Sequence, residues 1–315
     1  MATVYGFGTA AVDFRIRTAD FGDLYKDKLL AQTIAEMGGG AVANFLSQVS
    51  RLGGKTAFLG KLGRDVPGKK IVSLLEAEGI DCSHILYSDT LCSPFNVAAY
   101  SGEGMRRRCG FLLPNSLASL DGEDISALTE AIRPEDLVMV EIGEIPPAAV
   151  LSFMRKVRAK GAKLFIDVDL DPIRQCGFTP KEFDEVCRLS DVLIPNVVSL
   201  GALYPDMTAP ALAETLFKIY EKPCVVSAGR DGAFFADRPG PAQNVPVYEV
   251  EVVDTVGAGD AFHGGFVYGM LSGLPIGEAV RCGCVCGALN CRTFGAREGM
   301  ARREDLDRAL KGENG

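Results

Sequence analysis

The segment DTVGAGDAFHGGF, residues 254–266, places a carboxylate beside a potential phosphate site. The residues YEVEVVD alternate in polarity and predict a strand, TVGAG predicts a turn, and the residues after it predict a helix. At the start of that helix the N–H groups of Gly257, Ala258 and Gly259 would point outward and, with the helix dipole, favour an anion. Asp260 would then lie in the first helical turn, next to the anion.

Two roles for Asp260 are compatible with this position. A carboxylate repels phosphate, so a loop that only binds phosphate would not be expected to carry one. In phosphoryl transfer, by contrast, a carboxylate orients the attacking hydroxyl and accepts its proton. The other role is structural, because an aspartate at a helix start can cap the backbone N–H groups. The spacing alone supports catalysis and capping equally.

Two further glycine-rich segments fit known phosphate-binding patterns less well. GFGTAA, residues 6–11, matches the dinucleotide pattern, but Asp13 follows at once and no amphipathic helix begins. A nicotinamide-dependent oxidoreductase therefore stays only as an alternative. GGKT, residues 53–56, resembles the end of a P-loop but has Val49 where the upstream glycine is required, and it closes a helix.

Composition and charge limit the possible partners. The chain has 315 residues, 47% hydrophobic and 23% charged, which is ordinary for a globular protein. Its net charge of −8 argues against binding nucleic acid through the phosphate backbone. No apolar run is long enough for a membrane span, and no signal peptide is evident at the N-terminus. We therefore expect a cytoplasmic protein with no membrane or nucleic-acid partner.

The cysteines and histidines do not form a familiar metal motif. Cys282, Cys284 and Cys286 are spaced by two residues, which on a helix turns successive thiols to different faces, unlike a zinc knuckle. Packing is therefore the favoured role for these thiols. The chain has two histidines, His84 and His263, too few for a histidine-rich centre.

Predicted strands and helices alternate along most of the chain, which indicates a mostly parallel sheet covered on both faces. The predicted strands include residues 3–8, 56–63, 137–142, 163–169, 191–196 and 223–229. The predicted helices include residues 41–52, 209–220, 258–272 and 275–290. Two segments interrupt the alternation, residues 13–35 and 92–112, the second with a hairpin predicted around Ser101–Gly104. They predict a small lid on a main domain formed by residues 1–12, 36–91 and 113–315.

Two long motifs resemble the signatures of the ribokinase-like (PfkB) carbohydrate kinases. DTVGAGDAFHGGF is similar to the C-terminal signature of that family, and GGGAVANFLSQVSRLGGKTAFLGKLGRDVPGKKI, residues 38–71, is similar to the N-terminal one. The resemblance extends over nearly the whole chain. It implies a three-layer α/β/α sandwich with a mostly parallel central sheet and a small β lid, and an activity that transfers phosphate from ATP to a sugar hydroxyl.

The resemblance also implies roles for individual residues. Asp260 would be the catalytic base, and Gly257, Ala258 and Gly259 would form the anion hole for the transferred phosphoryl group. The residues implied for the sugar pocket are Asp13, Gly39, Gly40 and Asn44. Those implied for ATP and Mg²⁺ are Asn196, Ser227, Gly229, Gly232 and the segment from Cys284 to Gly295. Asp254 would help to hold a monovalent cation such as K⁺ behind the anion hole.

Two departures from the family pattern concern the metal. The motif Asn-x-x-Glu reads Asn196-Val-Val-Ser199 here, which weakens the usual hold on Mg²⁺. The stretch DVDLD, residues 167–171, replaces Asp-Pro-Asn, and we hypothesise that Asp169 or Asp171 compensates near the metal. The same departures keep open a catalytically weak sugar or nucleotide sensor on this fold.

The substrate is indicated by what replaces the ribokinase motif Gly-Gly-Lys-Gly-Ala-Asn. Here the run is GGAVAN, residues 39–44, without lysine, which is closer to fructokinases and 2-keto-3-deoxygluconate kinases. Glu141 could add a sugar contact or be a solvated strand end. Arg106 and Arg108, on one strand face with Arg107 opposite, could meet an acidic substrate or guard an exposed edge. Fructose is thus the first candidate, a keto-deoxy sugar acid the second and a nucleoside the third. A homodimer through the lid is also expected.

Overall fold

The computed structural model of the protein describes residues 2–18, 30–101, 106–112 and 115–312, with the backbone alone for residues 101 and 106–112. The described strands are, in chain order, β1 (Thr3–Phe7), β2 (Ala11–Thr18), β3 (Ala31–Gly39), β4 (Lys55–Leu59), β5 (Lys61–Gly63), β6 (Leu86–Ser88), β7 (Phe95–Ser101), β8 (Arg106–Leu112), β9 (Leu137–Glu141), β10 (Lys163–Val168), β11 (Val192–Pro195), β12 (Cys224–Ser227), β13 (Ala233–Ala236) and β14 (Gln243–Val245). The α-helices are α1 (Ala41–Arg51), α2 (Val66–Ala77), α3 (Gly122–Thr129), α4 (Pro147–Lys160), α5 (Pro180–Leu189), α6 (Ala209–Tyr220), α7 (Ala258–Leu271), α8 (Ile276–Asn290) and α9 (Arg303–Leu310).

The central sheet is mostly parallel, as the alternation of strands and helices predicts. Its eight strands lie in the order β14-β13-β12-β11-β10-β9-β1-β4. The strands from β12 to β4 pair in parallel, and β13 and β14 extend the β12 edge in antiparallel pairs. The carboxyl ends of the parallel strands meet at one edge of the sheet, which is where open α/β sheets bind ligands.

Helices cover both faces of this sheet and form a three-layer α/β/α sandwich. Alternate strand residues point to opposite faces, so Val138 and Val140 pack with α3 to α6 whereas Leu137 and Met139 pack with α1, α2, α7 and α8. On the first face the ring of Phe7 stacks on that of Phe153 with 3.9 Å between centroids. The two buried cores hold the strand ends in fixed positions, and the site is built on those ends.

A second sheet of four strands, in the order β3-β2-β7-β8, follows directly from β1. Strand β2 pairs with β3 antiparallel and with β7 in parallel. These strands extend past the predicted lid segments, because β2 already begins at Ala11 and β3 continues to Gly39. Strands β7 and β8 pair as the hairpin predicted there, and its turn lies outside the described residues.

Two segments differ from their predicted secondary structure. The prediction of a strand for YEVEVVD is wrong, because residues 246–253 contain no strand and instead border a cleft beside α7. Alternating polarity marks a chain with one apolar side, and here that side faces the cleft instead of a sheet. The prediction of one strand for TAFLGKLG is also inaccurate, since β4 and β5 are separate strands in different sheets.

The cysteines of α8 pack, as predicted. Cys282, Cys284 and Cys286 are buried, and Cys286 lies against Gly265 of α7, where an added Cβ would be 2.8 Å from its sulfur. Among the described residues no helix combines the length and the apolar character that crossing a bilayer would require.

Candidate active site

The predicted site residues lie in two groups on either side of the N-terminus of α7. One group is on β2, β3, α1 and the end of β9, and we call it the sugar side. The other is on the loop after β12, the loop before α7 and the second half of α8, and we call it the nucleotide side. The alternative of a dinucleotide fold loses its basis, because β2 begins at Ala11 where that fold requires a helix.

The turn before α7 presents backbone donors at the helix N-terminus. Gly257 has φ of 76°, and a Cβ there would lie 2.2 Å from the carbonyl oxygen of Ala296, so only glycine fits. Among the described residues no acceptor contacts the N–H groups of Gly257 and Gly259, and Gly259 opens onto free space. The N–H of Ala258 differs from the prediction, because it donates to the carbonyl of Thr255 at 3.2 Å and closes the turn.

Asp260 lies in the first turn of α7, and its side chain makes no capping hydrogen bond. Instead, Asp260 Oδ2 accepts a hydrogen bond of 2.7 Å from the side-chain amide of Asn44 on α1. No described residue donates to Asp260 Oδ1. The capping interpretation therefore lacks the contact it requires, and one carboxylate oxygen stays available to a ligand.

The surroundings of Asp260 favour a carboxyl that can exchange a proton near neutral pH. Burial raises the pKa of Asp260 from 3.8 to about 7, and the negative charges of Asp167 and Asp169 contribute, while the hydrogen bond from Asn44 and the charge of His263 oppose the shift. A base with a pKa near the working pH is the most effective one.

Arg297, which the sequence did not single out, fixes the orientation of Asn44. Its Nε donates to Asn44 Oδ1 at 2.6 Å, and its Nη2 donates to the carbonyl oxygen of Gly39 at 2.6 Å. Because the amide oxygen of Asn44 is thereby engaged, its NH₂ group must face Asp260. Arg297 is 6% exposed, and burial lowers its pKa to about 10, so this is a costly group kept for a specific arrangement.

A second buried pair lies behind Asp260. Nδ1 of His263, one turn further along α7, lies 3.3 Å from Asp167 Oδ2 at the end of β10. Burial alone would lower the pKa of His263, but Asp167 and then Asp260 raise it overall. Ligand atoms of Asp167, Asp260 and His263 lie within 4.8 Å of one another. A protonated imidazole at this position would offset part of the negative charge of this cluster.

The sugar side brings together the other residues predicted for it. Asp13 Oδ1 accepts a hydrogen bond of 2.9 Å from Asn96, and a Cβ at Gly39 would lie 2.3 Å from that same oxygen. Gly40 precedes α1 with φ of 89°, and a Cβ there would meet the Thr9 carbonyl at 2.5 Å. The glycines therefore leave room for Asp13 and for the chain reversal between the two sheets.

Glu141 is not the solvated strand end that its position allowed. The N–H and the hydroxyl of Thr9 donate to its two carboxylate oxygens at 2.8 and 3.3 Å. Burial raises the pKa of Glu141 to about 8, and the charges of Asp167, Glu144 and Asp260 add to this shift although the Thr9 hydrogen bond opposes it. Its sugar contact remains a prediction.

The nucleotide side is a cleft of about 660 Å³ with mainly apolar walls. The predicted residues that line it are Ser227, Gly229, Gly232, Ala258, Gly259 and Cys284. Gly232 has φ of 82°, and a Cβ there would lie 2.2 Å from the Val245 carbonyl, so the tight loop after β12 requires glycine. Residues 246–253, which form no strand, supply Val247, Tyr248 and Val250 to the lining of the same cleft. A flat apolar ring with a polar tail fits such a space.

Asn196 and Asp169 lie side by side where a metal was predicted. Asn196 Nδ2 donates to Asp169 Oδ1 at 2.8 Å, and its Oδ1 accepts from the N–H groups of Val198 and Ser199. Ser199 is buried and donates back to the Asn196 carbonyl, so it does not replace the missing glutamate. Asp171 accepts hydrogen bonds from the N–H groups of residues 173 and 174 and caps its own turn. Of the two acids considered, Asp169 is the one beside Asn196.

Asp254, predicted to hold a monovalent cation, already has three donors. Asp254 Oδ2 accepts from Arg15 Nη1 at 3.3 Å and from the Gly295 N–H at 3.0 Å, and Oδ1 accepts from the Val256 N–H at 3.1 Å.

The backbone of Arg106, Arg107 and Arg108 belongs to β8, and their side chains lie outside the described part of the chain.

The sequence contained a signal for some of the residues it missed. His263 follows Asp260 by three positions on one helix, which places both on the same face. Arg297 and Arg15 had no such signal, because their partners are more than 200 positions away in the chain.

A carboxylate at a helix N-terminus, between a group of polar side chains and an apolar cleft, is an arrangement suited to phosphoryl transfer onto a small molecule. The chain belongs to the pfkB family of carbohydrate kinases, and the sequence pattern of that family matches residues 1–303. Kinases of this family transfer phosphate from ATP to a sugar.

Named relatives cover almost the whole chain. A ribokinase from Lactococcus lactis is 23% identical over 312 residues, which are 99% of this chain and 98% of the relative. A 2-dehydro-3-deoxygluconokinase from Bacillus subtilis is 26% identical over 305 residues, 91% of this chain and 89% of the relative. A crystal structure of an E. coli protein described as a ribokinase II, in complex with ATP and Mg²⁺, has a TM-score of 0.79 and 20% identity, with 99% of this chain and 100% of the other covered. The last likeness shows that the fold is shared.

The raised pKa of Asp260 predicts a stability change in Asp260→Asn. The folded state holds the Asp260 proton more tightly than the unfolded chain, so this group weakens the folded state as pH rises from about 4 to about 7 and changes nothing further above that. The melting temperature of Asp260→Asn relative to wild type should therefore increase across this window and level off above it. Glu135→Gln, an exposed carboxylate without a hydrogen bond or ion pair among the described residues, is the control. An equal difference between variant and wild type at pH 5 and pH 8 would contradict the raised pKa.

Proposed function

We propose that the protein is an ATP-dependent kinase that phosphorylates a hydroxyl of a keto sugar. The observation that carries this proposal is the side chain of Asp260, which makes no cap, is held by Asn44, and lies between the sugar side and the nucleotide side. A non-catalytic sensor would not need a carboxyl with a pKa near 7 at that point.

The first step is to fix the sugar. The carboxylate of Asp13 is held by Asn96 and can accept hydrogen bonds from two vicinal hydroxyls. Asn44 is itself held by Arg297 and keeps Asp260 in one orientation. The reacting hydroxyl then donates its proton to Asp260 Oδ1, the oxygen that no described residue contacts.

The second step is the transfer itself. The sugar oxygen forms a bond to the γ-phosphorus of ATP as the hydroxyl proton moves to Asp260, and the bond between the γ-phosphorus and the β–γ bridging oxygen breaks, releasing ADP. The N–H groups of Gly257 and Gly259, at the positive end of the α7 dipole, stabilise the charge on the phosphoryl oxygens. The N–H of Ala258 does not take part, because it donates to the carbonyl of Thr255 and closes the turn that orients the other two N–H groups.

The metal that accompanies ATP fits the acidic side of the cleft. Mg²⁺ prefers carboxylate and water ligands, and Asp169 offers a carboxylate fixed by Asn196. Partial desolvation raises the pKa of Asp169, and the charge of Asp167 adds to this, which a divalent cation would relieve. Asp167 Oδ1 is also buried without a hydrogen-bond partner among the described residues. When bound with ATP, Mg²⁺ would neutralise phosphate charge at this edge.

The charges of the sugar side favour a neutral sugar. The carboxylate of Asp13 can accept hydrogen bonds from hydroxyls, and burial raises the pKa of Glu141 to about 8, which favours its neutral form at pH 7. The buried cation Arg297 is already engaged by Asn44 and Gly39. We therefore place fructose first. The identity of 26% with a 2-dehydro-3-deoxygluconokinase supports a keto-deoxy sugar acid as the second candidate, for which Arg106 and Arg108 would be the cationic groups.

A homodimer through the four-stranded sheet is part of this proposal. Strand β3 is an edge strand of that sheet, and Ile34 on it is 66% exposed. An apolar side chain exposed on a sheet suits contact with a second copy of the chain.

The proposal predicts ADP release with a sugar and its loss in Asp260→Ala. A screen of fructose, ribose, 2-keto-3-deoxygluconate and nucleosides with Mg²⁺-ATP should identify fructose or the keto acid as the best acceptor. Asp260→Ala should lower kcat by about 10²–10⁴-fold, because the hydroxyl proton has no acceptor. Glu135→Gln is the surface control. Absence of ADP release from the folded wild type with every acceptor would support the sensor alternative, and near-normal turnover of Asp260→Ala would remove the assigned base.

The placement of Asp169 beside Asn196 predicts a selective effect on Mg²⁺. Asp169→Asn should raise the Mg²⁺ concentration needed for half-maximal activity by roughly tenfold or more, because a charged metal ligand becomes neutral. Asp171→Asn should leave this concentration unchanged, since Asp171 caps its own turn. Equal Mg²⁺ dependence of wild type and Asp169→Asn at saturating ATP would reject the role of Asp169.

A further inference from the structure

A buried guanidinium occupies the position where a free monovalent cation was predicted. Arg15 is 4% exposed and Asp254 14% exposed, and their ion pair measures 3.3 Å. With the N–H groups of Gly295 and Val256 also donating, both oxygens of the Asp254 carboxylate are engaged. A carboxylate offers about four acceptor positions, and three are taken, one of them by a positive charge. The described residues therefore do not fit an additional cation on Asp254.

The same guanidinium joins the two chain segments that support the glycine turn. It lies 5.1 Å from the centre of the Phe294 ring, within the cation–π range. The loop carrying Asp254 and the segment carrying Phe294 are also connected by Asn290, whose Nδ2 donates to the carbonyls of Val256 and Ala296. The carbonyl of Ala296 is the one that forces residue 257 to be glycine. Arg15 thus acts on the packing that shapes the anion hole.

We infer that Arg15 supplies from within the chain the positive charge that Asp254 needs, so that the glycine turn is held in place without a bound monovalent cation. This inference rests on the proposed kinase function for its catalytic consequence. Arg15 is a positioning residue, because its guanidinium contacts Asp254 and Phe294 and acts on the turn through them. The chemical consequence is a kinase whose activity is independent of K⁺.

Electrostatics explains why one arrangement excludes the other. A desolvated carboxylate requires a partner, and either a guanidinium or a metal ion can provide the charge. Both together would place two positive charges within a few ångströms of each other in a region of low dielectric, where their repulsion is weakly screened. The guanidinium is covalently attached and is always present, so it displaces an ion that would have to be recruited from solution.

The location of Arg15 also connects the two sides of the site. Asp13 and Arg15 are two positions apart on β2, so both side chains point to the same face of the four-stranded sheet. Asp13 therefore contributes to the sugar side, and Arg15, the next residue on the same face of β2, supports the turn on the nucleotide side. A sugar bound at Asp13 would restrain the strand that holds Asp254.

The test is the variant Arg15→Met, which keeps the aliphatic stem and removes the charge. Wild-type kcat should be unchanged, within twofold, when K⁺ is replaced by tetramethylammonium at constant ionic strength. In tetramethylammonium the kcat of Arg15→Met should fall tenfold or more, and millimolar K⁺ or guanidinium should restore at least a third of the loss. Arg17→Met, two positions further along the same face of β2 but exposed to solvent, is the matched control and should behave as wild type.

A second readout does not depend on turnover. The melting temperature of Arg15→Met should rise with K⁺ or guanidinium relative to tetramethylammonium, while that of wild type should not respond. The double variant Arg15→Met/Asp254→Asn removes both charges and should fold without any cation response, which covers the case in which the single variant is unstable.

The outcomes separate this inference from the proposed function. Failure of every acceptor to yield ADP would overturn the kinase function, and the melting experiment would still decide the role of Arg15. A wild type that requires K⁺ for activity or stability would overturn the inference. So would an Arg15→Met variant that shows full activity and no response to cations.

Discussion

The site depends on keeping one carboxylate, Asp260, ionisable and correctly aimed at the positive end of a helix. Burial and neighbouring acids work against its charge, and the amide of Asn44 works for it. A side-chain amide can rotate and exchange its oxygen and nitrogen positions, so this arrangement is fixed only if the oxygen of Asn44 also has a partner. Arg297 is that partner. A chain of hydrogen bonds from a buried guanidinium through an amide to a carboxylate therefore sets the direction in which the base can act. The same carboxylate would be a poor choice for a loop that only binds phosphate, and its contact with Asn44 shows that it does not cap the helix.

The fold around this chain explains why the necessary groups meet. The parallel strands deliver their polar ends to one edge, and β1 continues directly into the second sheet, so that sugar-side residues and the turn before α7 face each other. Gly39 and Gly257 are required at the closest approaches, because a Cβ at either position would collide with Asp13 or with a backbone carbonyl. Apolar packing on both faces keeps the sheet rigid, and the hydrogen bonds between polar groups orient the side chains of the site.

Much of the fold could be predicted from the sequence, because helical and strand periodicities report burial directly, and α1, α6, α7 and α8 begin and end within a residue or two of their predicted bounds. The strand predicted for YEVEVVD is wrong for a physical reason. Alternating polarity indicates that a segment has one apolar side, but it does not tell whether a sheet or a cleft covers that side. Motif residues such as Asp260 and Asn44 were found from local spacing. Arg297 and Arg15 were not, since a guanidinium that contacts a partner more than 200 positions away leaves no local pattern.

Catalysis by Asp260 requires that its carboxyl be ionised before the hydroxyl proton is transferred. The decisive measurement is the pH dependence of kcat/KM of the wild type with its best acceptor, since this quantity reports essential groups in the free enzyme. The account predicts that kcat/KM falls about tenfold per pH unit below the pKa of about 7 given by burial, and reaches a plateau above it. A value of kcat/KM that stays constant from pH 5 to pH 8 in a protein that remains folded would contradict the assignment of this buried carboxylate as the base.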